Sequence, residues 1–328
     1  MAKIILKDGE ISSSADINVS ARLVGSDAVF SSLGTNAHLV LENGIYNTLQ
    51  DAINSSSTGD TILVGPRSAG WGDIELPASK QLSILGLTTP KTPFNVKIGS
   101  ISFEPTVGTY ATQNEIHIAN FFINGDFSST PGIHVGGTAP SRLKIEGCYI
   151  YNNSSAGGNT VLVDSTATGT SLYIENSIIN GSSATAGAAV KATTSYLVVR
   201  NCDVFASKNA FHLAGNTTVE LGTTKIVTSN TDSTILIDAG NLSANSIYVE
   251  NGTADGSGLK LSSMYSFAAI DNSIFNVATG TGYVIWGSGV FAPGNNSYSN
   301  IPGVLARNVK IQNTITTIPI STTLTVAS

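Results

Sequence analysis

Charge is scarce in this chain. Asp, Glu, Lys and Arg make up 12% of 328 residues, about half the quarter usual for globular proteins. The 16 basic residues stand singly and the net charge is −6. With no basic stripe to meet a phosphate backbone, nucleic acid is excluded as a partner. Long apolar runs are missing as well. Nothing approaches the ~20 residues that a membrane-crossing helix needs, so membrane insertion is not expected. The opening MAKIILKDGE breaks off its apolar run after Ile4, Ile5 and Leu6, which is not the core of a secretory signal. Synthesis in a cytoplasm, without a signal peptide, is the expectation. Two cysteines are too few for a disulfide framework.

What replaces charge is Ser, Thr, Asn and Gly, set among Val and Ile spread evenly along the chain. Hydroxyl and amide side chains bond along strands and in turns, and the 41% hydrophobic content argues against disorder. A ten-residue cadence recurs: IHIANFFING from Ile116, LYIENSIING from Leu172, LVVRNCDVFA from Leu197 and IYVENGTADG from Ile247. Aligned on its second apolar position, it gives Ile118, Ile145, Ile174, Val199, Leu221, Val249 and Ile270. The intervals run from 21 residues (Val249 to Ile270) to 29 (Ile145 to Ile174). Two residues further on stand Asn120, Gly147, Asn176, Asn201, Thr223, Asn251 and Asn272. Asn and Gly tolerate a left-handed backbone, so this column predicts one sharp bend per unit.

A second strand precedes each cadence: GIHVG at Gly132, TVLVD at Thr160, AFHLA at Ala210, TILID at Thr234 and GLKLS at Gly258. Apolar residues two apart bury one face and expose the other. Helical repeats are excluded by the Gly and β-branched content. Unequal spacing fits a β-solenoid, which absorbs insertions in its turns while its strands stay stacked.

Ahead of the repeats, YNTLQDAINSSSTGDTILVGP reads as a helix over about 47–57. Asn47 and Gln50 have capping-box spacing, and Leu49 and Ile53 share a face. Such a helix would cover the open end of a solenoid. LQDAIN followed by GDTILV resembles the opening of pectate-lyase-like right-handed parallel β-helix proteins. The resemblance implies an all-β, single-stranded right-handed parallel β-helix with a short N-terminal capping helix and β-rich terminal segments. The domain boundaries expected are a short-strand segment at 1–44, the β-helix at 45–297 and a β-tail at 298–328.

That superfamily includes polysaccharide lyases, esterases, phage tailspikes and inert structural proteins. Polygalacturonases in it use adjacent aspartates and a Gly-His-Gly, and pectate lyases an Asp cluster with an Arg. This chain has no Asp-Asp pair, no Gly-His-Gly and five arginines. One column does gather charge: Ala119, Glu146, Glu175, Arg200, Gly222, Glu250 and Asp271. Stacking sets Glu146, Glu175 and Arg200 at about 4.8 Å per step. Glu146 and Glu175 are the candidate catalytic carboxylates of an acidic cleft; alternatively the column is a solvated face on which Arg200 relieves repulsion. His117, His134 and His212 lie between apolar residues and point outward, with His134 and His212 about three rungs apart, too far to share a metal. Asp164 and Asp238 share a column as turn residues. Cys148 and Cys202, with one rung between them and thus about 9.6 Å apart, are beyond disulfide reach and read as small core residues. No cofactor or metal site is expected. The outward column of the first strand reads His134, Leu162, Lys191, His212, Leu236, Lys260 and Ile285, with three large aliphatics that suggest a partner surface.

Low charge, the missing signal and an uncharged β-tail resemble bacteriophage virion proteins. The leading expectation is a non-enzymatic structural protein of a phage particle, as a head decoration or fibre component. It is expected to reside on the virion, to form a homotrimer and to contact other virion proteins. The alternative is a tailspike-like enzyme that binds or depolymerises host-surface glycan with carboxylates on the β-helix face. A third reading, a bacterial surface adhesin, is disfavoured by the missing signal.

Overall fold

The computed structural model describes residues 37–299, apart from 45, 78, 89–93, 107–113, 126, 128–129, 155–157, 168, 182–186, 194, 254–255 and 279–283. It also describes the strands Ala306–Arg307 and Lys310–Ile311. Most of the expected N-terminal segment and the tail beyond 311 lie outside the described residues.

One strand from each of three sheets makes a coil. Ser141–Glu146 leads through a bend into Tyr149–Asn152, a loop leads on to Val161–Val163, and a turn returns the chain to Ser171–Glu175 beside its starting point. Repetition builds sheets of 12, 9 and 10 strands, all parallel. Parallel crossovers turn right-handed, and the architecture is the right-handed parallel β-helix. In the twelve-stranded sheet the register step is 29 residues from Arg142 to Ser171 but 22 from Tyr196 to Thr218. The difference is taken up in the loops, because a stacked strand cannot slip by one residue without turning its core face outward.

Alternation decides which residues fill the interior. Ile116, Leu143, Leu172, Leu197 and Val219 stack in register and are fully buried, as are Ile123, Ile150, Ile179, Val204 and Ile226 opposite them. Each such side chain contributes about 1.5–3 kcal/mol of burial. Cys148 and Cys202 are buried in the same interior as free thiols.

The bend is left-handed in every one of these coils. Asn120, Gly147, Asn176, Asn201, Thr223, Ser246 and Asn272 have φ of 66°, 59°, 52°, 52°, 47°, 59° and 48°. Hydrogen bonding continues through it, with Asn176 N–H donating to the Arg200 carbonyl at 3.0 Å and Asn201 N–H to that of Gly222 at 3.0 Å. One coil differs from the expectation: its bend is at Ser246, not Asn251. Asn251 ends the strand Tyr248–Asn251 in the nine-stranded sheet and is buried. There its Nδ2 donates to the Asp232 and Ser257 carbonyls at 3.2 and 3.3 Å. Alternating apolar residues followed by Asn describe a strand entering the bend and a strand tied to its loop equally well. The pattern alone therefore chose the wrong column.

The helix is Leu49–Ser55, buried at Leu49, Ala52 and Ile53. Its N-cap is Thr48, not Asn47. Thr48 Oγ1 accepts from Asp51 N–H at 3.0 Å and Thr48 N–H donates to Asp51 Oδ2 at 3.1 Å, a capping box shifted by one residue. At the other end Lys80 Nζ donates to the carbonyls of Ile53 and Asn54 at 3.1 and 2.9 Å, where a cation suits the helix dipole. Strands at both ends carry the sheets past the 45–297 expected: Ala37–Val40 pairs with Thr61–Val64, and Lys310–Ile311 with Val290–Pro293.

Candidate functional site

Period-two alternation that buries Leu143 and Ile145 turns Arg142, Lys144 and Glu146 outward on the same strand. In-register stacking then sets Glu146 beside Glu175 and Lys144 beside His117 and Tyr173. Lys144 Nζ stands 2.8 Å from Glu146 Oε2 and 3.1 Å from Glu175 Oε2, while His117 Nε2 is 3.1 Å from the same Glu146 oxygen. The hydrogen bond from Lys144 holds the Glu146 carboxyl below its usual range, and the bond to Glu146 in turn raises the ammonium of Lys144.

Arg200 does not relieve this pair as expected. Its guanidinium reaches forward one coil to Glu220 at 3.1 Å. Glu250 also leaves the column: it belongs to the nine-stranded sheet and accepts from Tyr248 Oη at 3.0 Å. Asn245 stands in its place. The sequence reading missed Lys144 because it followed one column at a time. The signal was two residues away, since i and i−2 on a strand share a face.

Chemically, Glu146 and Glu175 share one cation, Lys144. A general acid needs a carboxyl lifted toward neutrality by burial or by an uncompensated like charge, and Lys144 acts in the opposite direction. The thiols are no better as nucleophiles, because burial pushes Cys148 up to about 12 and Cys202 up to about 11.

The outer face of the ten-stranded sheet holds the other candidates. His134 bridges coils on both sides, with Nδ1 2.9 Å from Glu104 Oε1 and Nε2 2.7 Å from Asp164 Oδ1. His212 Nε2 is 2.6 Å from Asp238 Oδ2. Burial opposes charge on Asp238, but hydrogen bonds from Ser262 and His212 outweigh it and lower the carboxyl. His134 and His212 are separated by Leu162 and Lys191, as their register requires. Among the described residues no group of three or more His, Cys, Asp or Glu is arranged to hold a metal ion. The outward column ends differently from the expectation: Trp286, not Ile285, follows Lys260. Ile285 is buried, and Lys260 Nζ lies 4.4 Å from the Trp286 ring centroid.

No family model matches the chain, and no curated protein matches it. Solved structures of similar shape include pectin methylesterase PemA from Erwinia chrysanthemi, with 8% identity, a TM-score of 0.49, and 86% of this chain and 94% of that one covered. Alginate lyase from Paenibacillus sp. matches with 14% identity and a TM-score of 0.47 over 84% of this chain and 100% of that one. A protein of Geobacillus virus E2 matches with 12% identity and a TM-score of 0.43 over 76% and 57%. These are likenesses of fold alone.

Proposed function

We propose that the chain is a non-catalytic structural protein of a bacteriophage particle, a stiff β-helical rod displayed at the surface as a head decoration or fibre component. The observation that carries this reading is the Lys144 clamp. The two carboxylates best placed for glycosidic chemistry share one ammonium 2.8 and 3.1 Å away, which holds the Glu146 carboxyl below its usual range, an arrangement suited to a stacked wall and unsuited to proton donation by Glu146. The low charge and Ser/Thr/Asn/Gly-rich composition support it. The rod associates as a closed homotrimer, since cyclic symmetry leaves no strand edge free for open-ended pairing.

Two measurements test the proposal. Gold-labelled antibody against the chain should decorate purified particles at one structural position. Incubation with acidic and neutral polysaccharides should release no reducing or unsaturated ends. Depolymerisation that vanished in Glu146→Gln or Glu175→Gln would replace this reading with that of a glycan-degrading enzyme.

A further inference from the structure

The wall of the ten-stranded sheet has a notch at the corner where its strands begin. Val161, Val190, Phe211 and Ile235 stack in register as the first core residues of successive strands. Three residues before them stand Gly158, Gly187, Lys208 and Asp232. Gly187 is required by the approach of the coils, because a Cβ there would overlap the carbonyl oxygen of Gly158, and Gly158 itself has a φ of 112°, which favours glycine. Two side chains are thus missing from consecutive coils, with small Ala188 beside them, and a cleft of about 430 Å³ results. That is within the size range of small-ligand sites.

Its walls carry Lys191, Lys208, His212 and Leu236. Three outward cations have carboxylate partners, Arg142 with Glu115, Lys144 with Glu146 and Glu175, and Arg200 with Glu220, while Lys260 lies over the Trp286 ring. Lys191 and Lys208 are half-buried, and neither enters an ion pair among the described residues. The carboxylate in the lining, Asp232, is committed locally and accepts from Ser233 N–H at 2.9 Å. His212 is held by Asp238. The amides are partly committed too. Asn209 Nδ2 donates to the Ser233 carbonyl at 2.5 Å, and Asn159 Oδ1 accepts from Ala188 N–H at 3.1 Å, which leaves the Asn159 Nδ2 as a donor.

Two half-buried lysines and one carboxylate line this concavity, so cations outnumber anions there, and a charge-assisted hydrogen bond to an entering anion is stronger than one in open solvent. We propose that this notch binds an oxyanion, a carboxylate or phosphate group borne by a cell-surface polymer, and holds it without transforming it. Leu236 offers the apolar surface on which the carbons beside that group rest. The inference is independent of the virion assignment.

Calorimetric titration of the full-length chain tests it, with an oligouronate, an oligomeric glycerol phosphate, inorganic phosphate and a neutral oligosaccharide as probes. At low salt at least one polymeric anion should bind saturably, and the neutral probe should not. Affinity should fall as salt rises toward about 150 mM. Preference between the two oligomers identifies the source of the oxyanion. The Lys191→Gln/Lys208→Gln double variant should weaken binding about tenfold or more, whereas Lys225→Gln, an exposed lysine of the nine-stranded sheet, should leave it unchanged. Circular dichroism establishes that the variants are folded, and each single variant serves if the double one is not. Equal binding of the neutral probe, no binding of either oligomer, or full affinity in the folded double variant would overturn the inference. Binding accompanied by cleavage would overturn the non-catalytic assignment and leave the notch as a receptor site.

Discussion

Gln50 completes the backbone of Glu75. Its Nε2 donates to the Glu75 carbonyl at 3.0 Å and its Oε1 accepts the Glu75 N–H at 2.8 Å. Among the described residues Ile74–Glu75 is the end strand of the ten-stranded sheet, and the amide side chain pairs with its backbone as a neighbouring strand would. The helix thus does two things at the end of the solenoid: Leu49, Ala52 and Ile53 cover the apolar rungs, and Gln50 satisfies the open edge.

Gln50→Ala should therefore cost about 1 kcal/mol, and the loss should be local. Solenoid coils are stabilised by their nearest neighbours, so hydrogen exchange at the Glu75 amide should speed up while that at Ile235 or Leu259 stays slow. Unchanged protection at Glu75 would show that the side chain contributes nothing to the edge.

Backbone handedness predicts effects of opposite sign at two bends. Asn176 is exposed at φ 52°, and Asn176→Val should destabilise by about 1–2 kcal/mol, since a β-branched residue resists positive φ. Thr223 is already β-branched, exposed and at φ 47°. Thr223→Asn should stabilise by about 1 kcal/mol. Urea unfolding midpoints would check both; a shared sign would contradict the bend geometry.

Much of this fold is legible in the sequence because stacking repeats one local requirement many times. The αL column was readable at Asn120, Gly147, Asn176, Asn201 and Asn272, and Thr223 stood in it against type. It failed at Asn251, because an Asn that ties a loop from inside and an Asn that bends the chain follow the same alternation. The candidate site was less legible for a different reason. Glu146 and Glu175 were found as neighbours, but what they do depends on Lys144 and His117 in the adjacent column, and on Arg200 turning toward Glu220. Columns give the neighbours of a side chain; rotamers decide which of them it pairs with.

The Lys144 clamp has a definite pH dependence. Glu146 is held below its usual value of 4.5 chiefly by the Lys144 hydrogen bond, so its contribution is present above 4.5 and fades as pH falls through the lowered value. Lys144 is raised above 10.5 chiefly by the bond to Glu146, so its contribution is present below 10.5 and is lost as pH rises through the raised value. Lys144→Met should move the Glu146 titration upward, read by carboxyl-carbon NMR between acid and neutral pH. All three groups are about a third exposed or less, and solvent screening keeps the stability effect small. A Glu146 titration unmoved by the substitution would mean that the ion pair does not persist in solution.

The last prediction concerns assembly. Residues 312–328, QNTITTIPISTTLTVAS, lie outside the described residues, but their sequence alternates Ile with Thr and carries no charge. Such a segment is prone to edge-to-edge association unless it is paired. The ladder itself runs on to Lys310–Ile311, which pairs with Val290 and Phe291, so a cut at 308 would remove part of the coil and confuse folding with assembly. The informative deletion is therefore 312–328. If the segment joins copies of the chain, the full-length protein should sediment as a trimer at micromolar concentration, and the deletion should give a monomer with the same β-rich circular dichroism. A full-length monomer would exclude the trimer and assign the segment to its own rod. A trimer that survived the deletion would move the interface to the outer faces, where Leu162, Leu236 and Trp286 are half-buried.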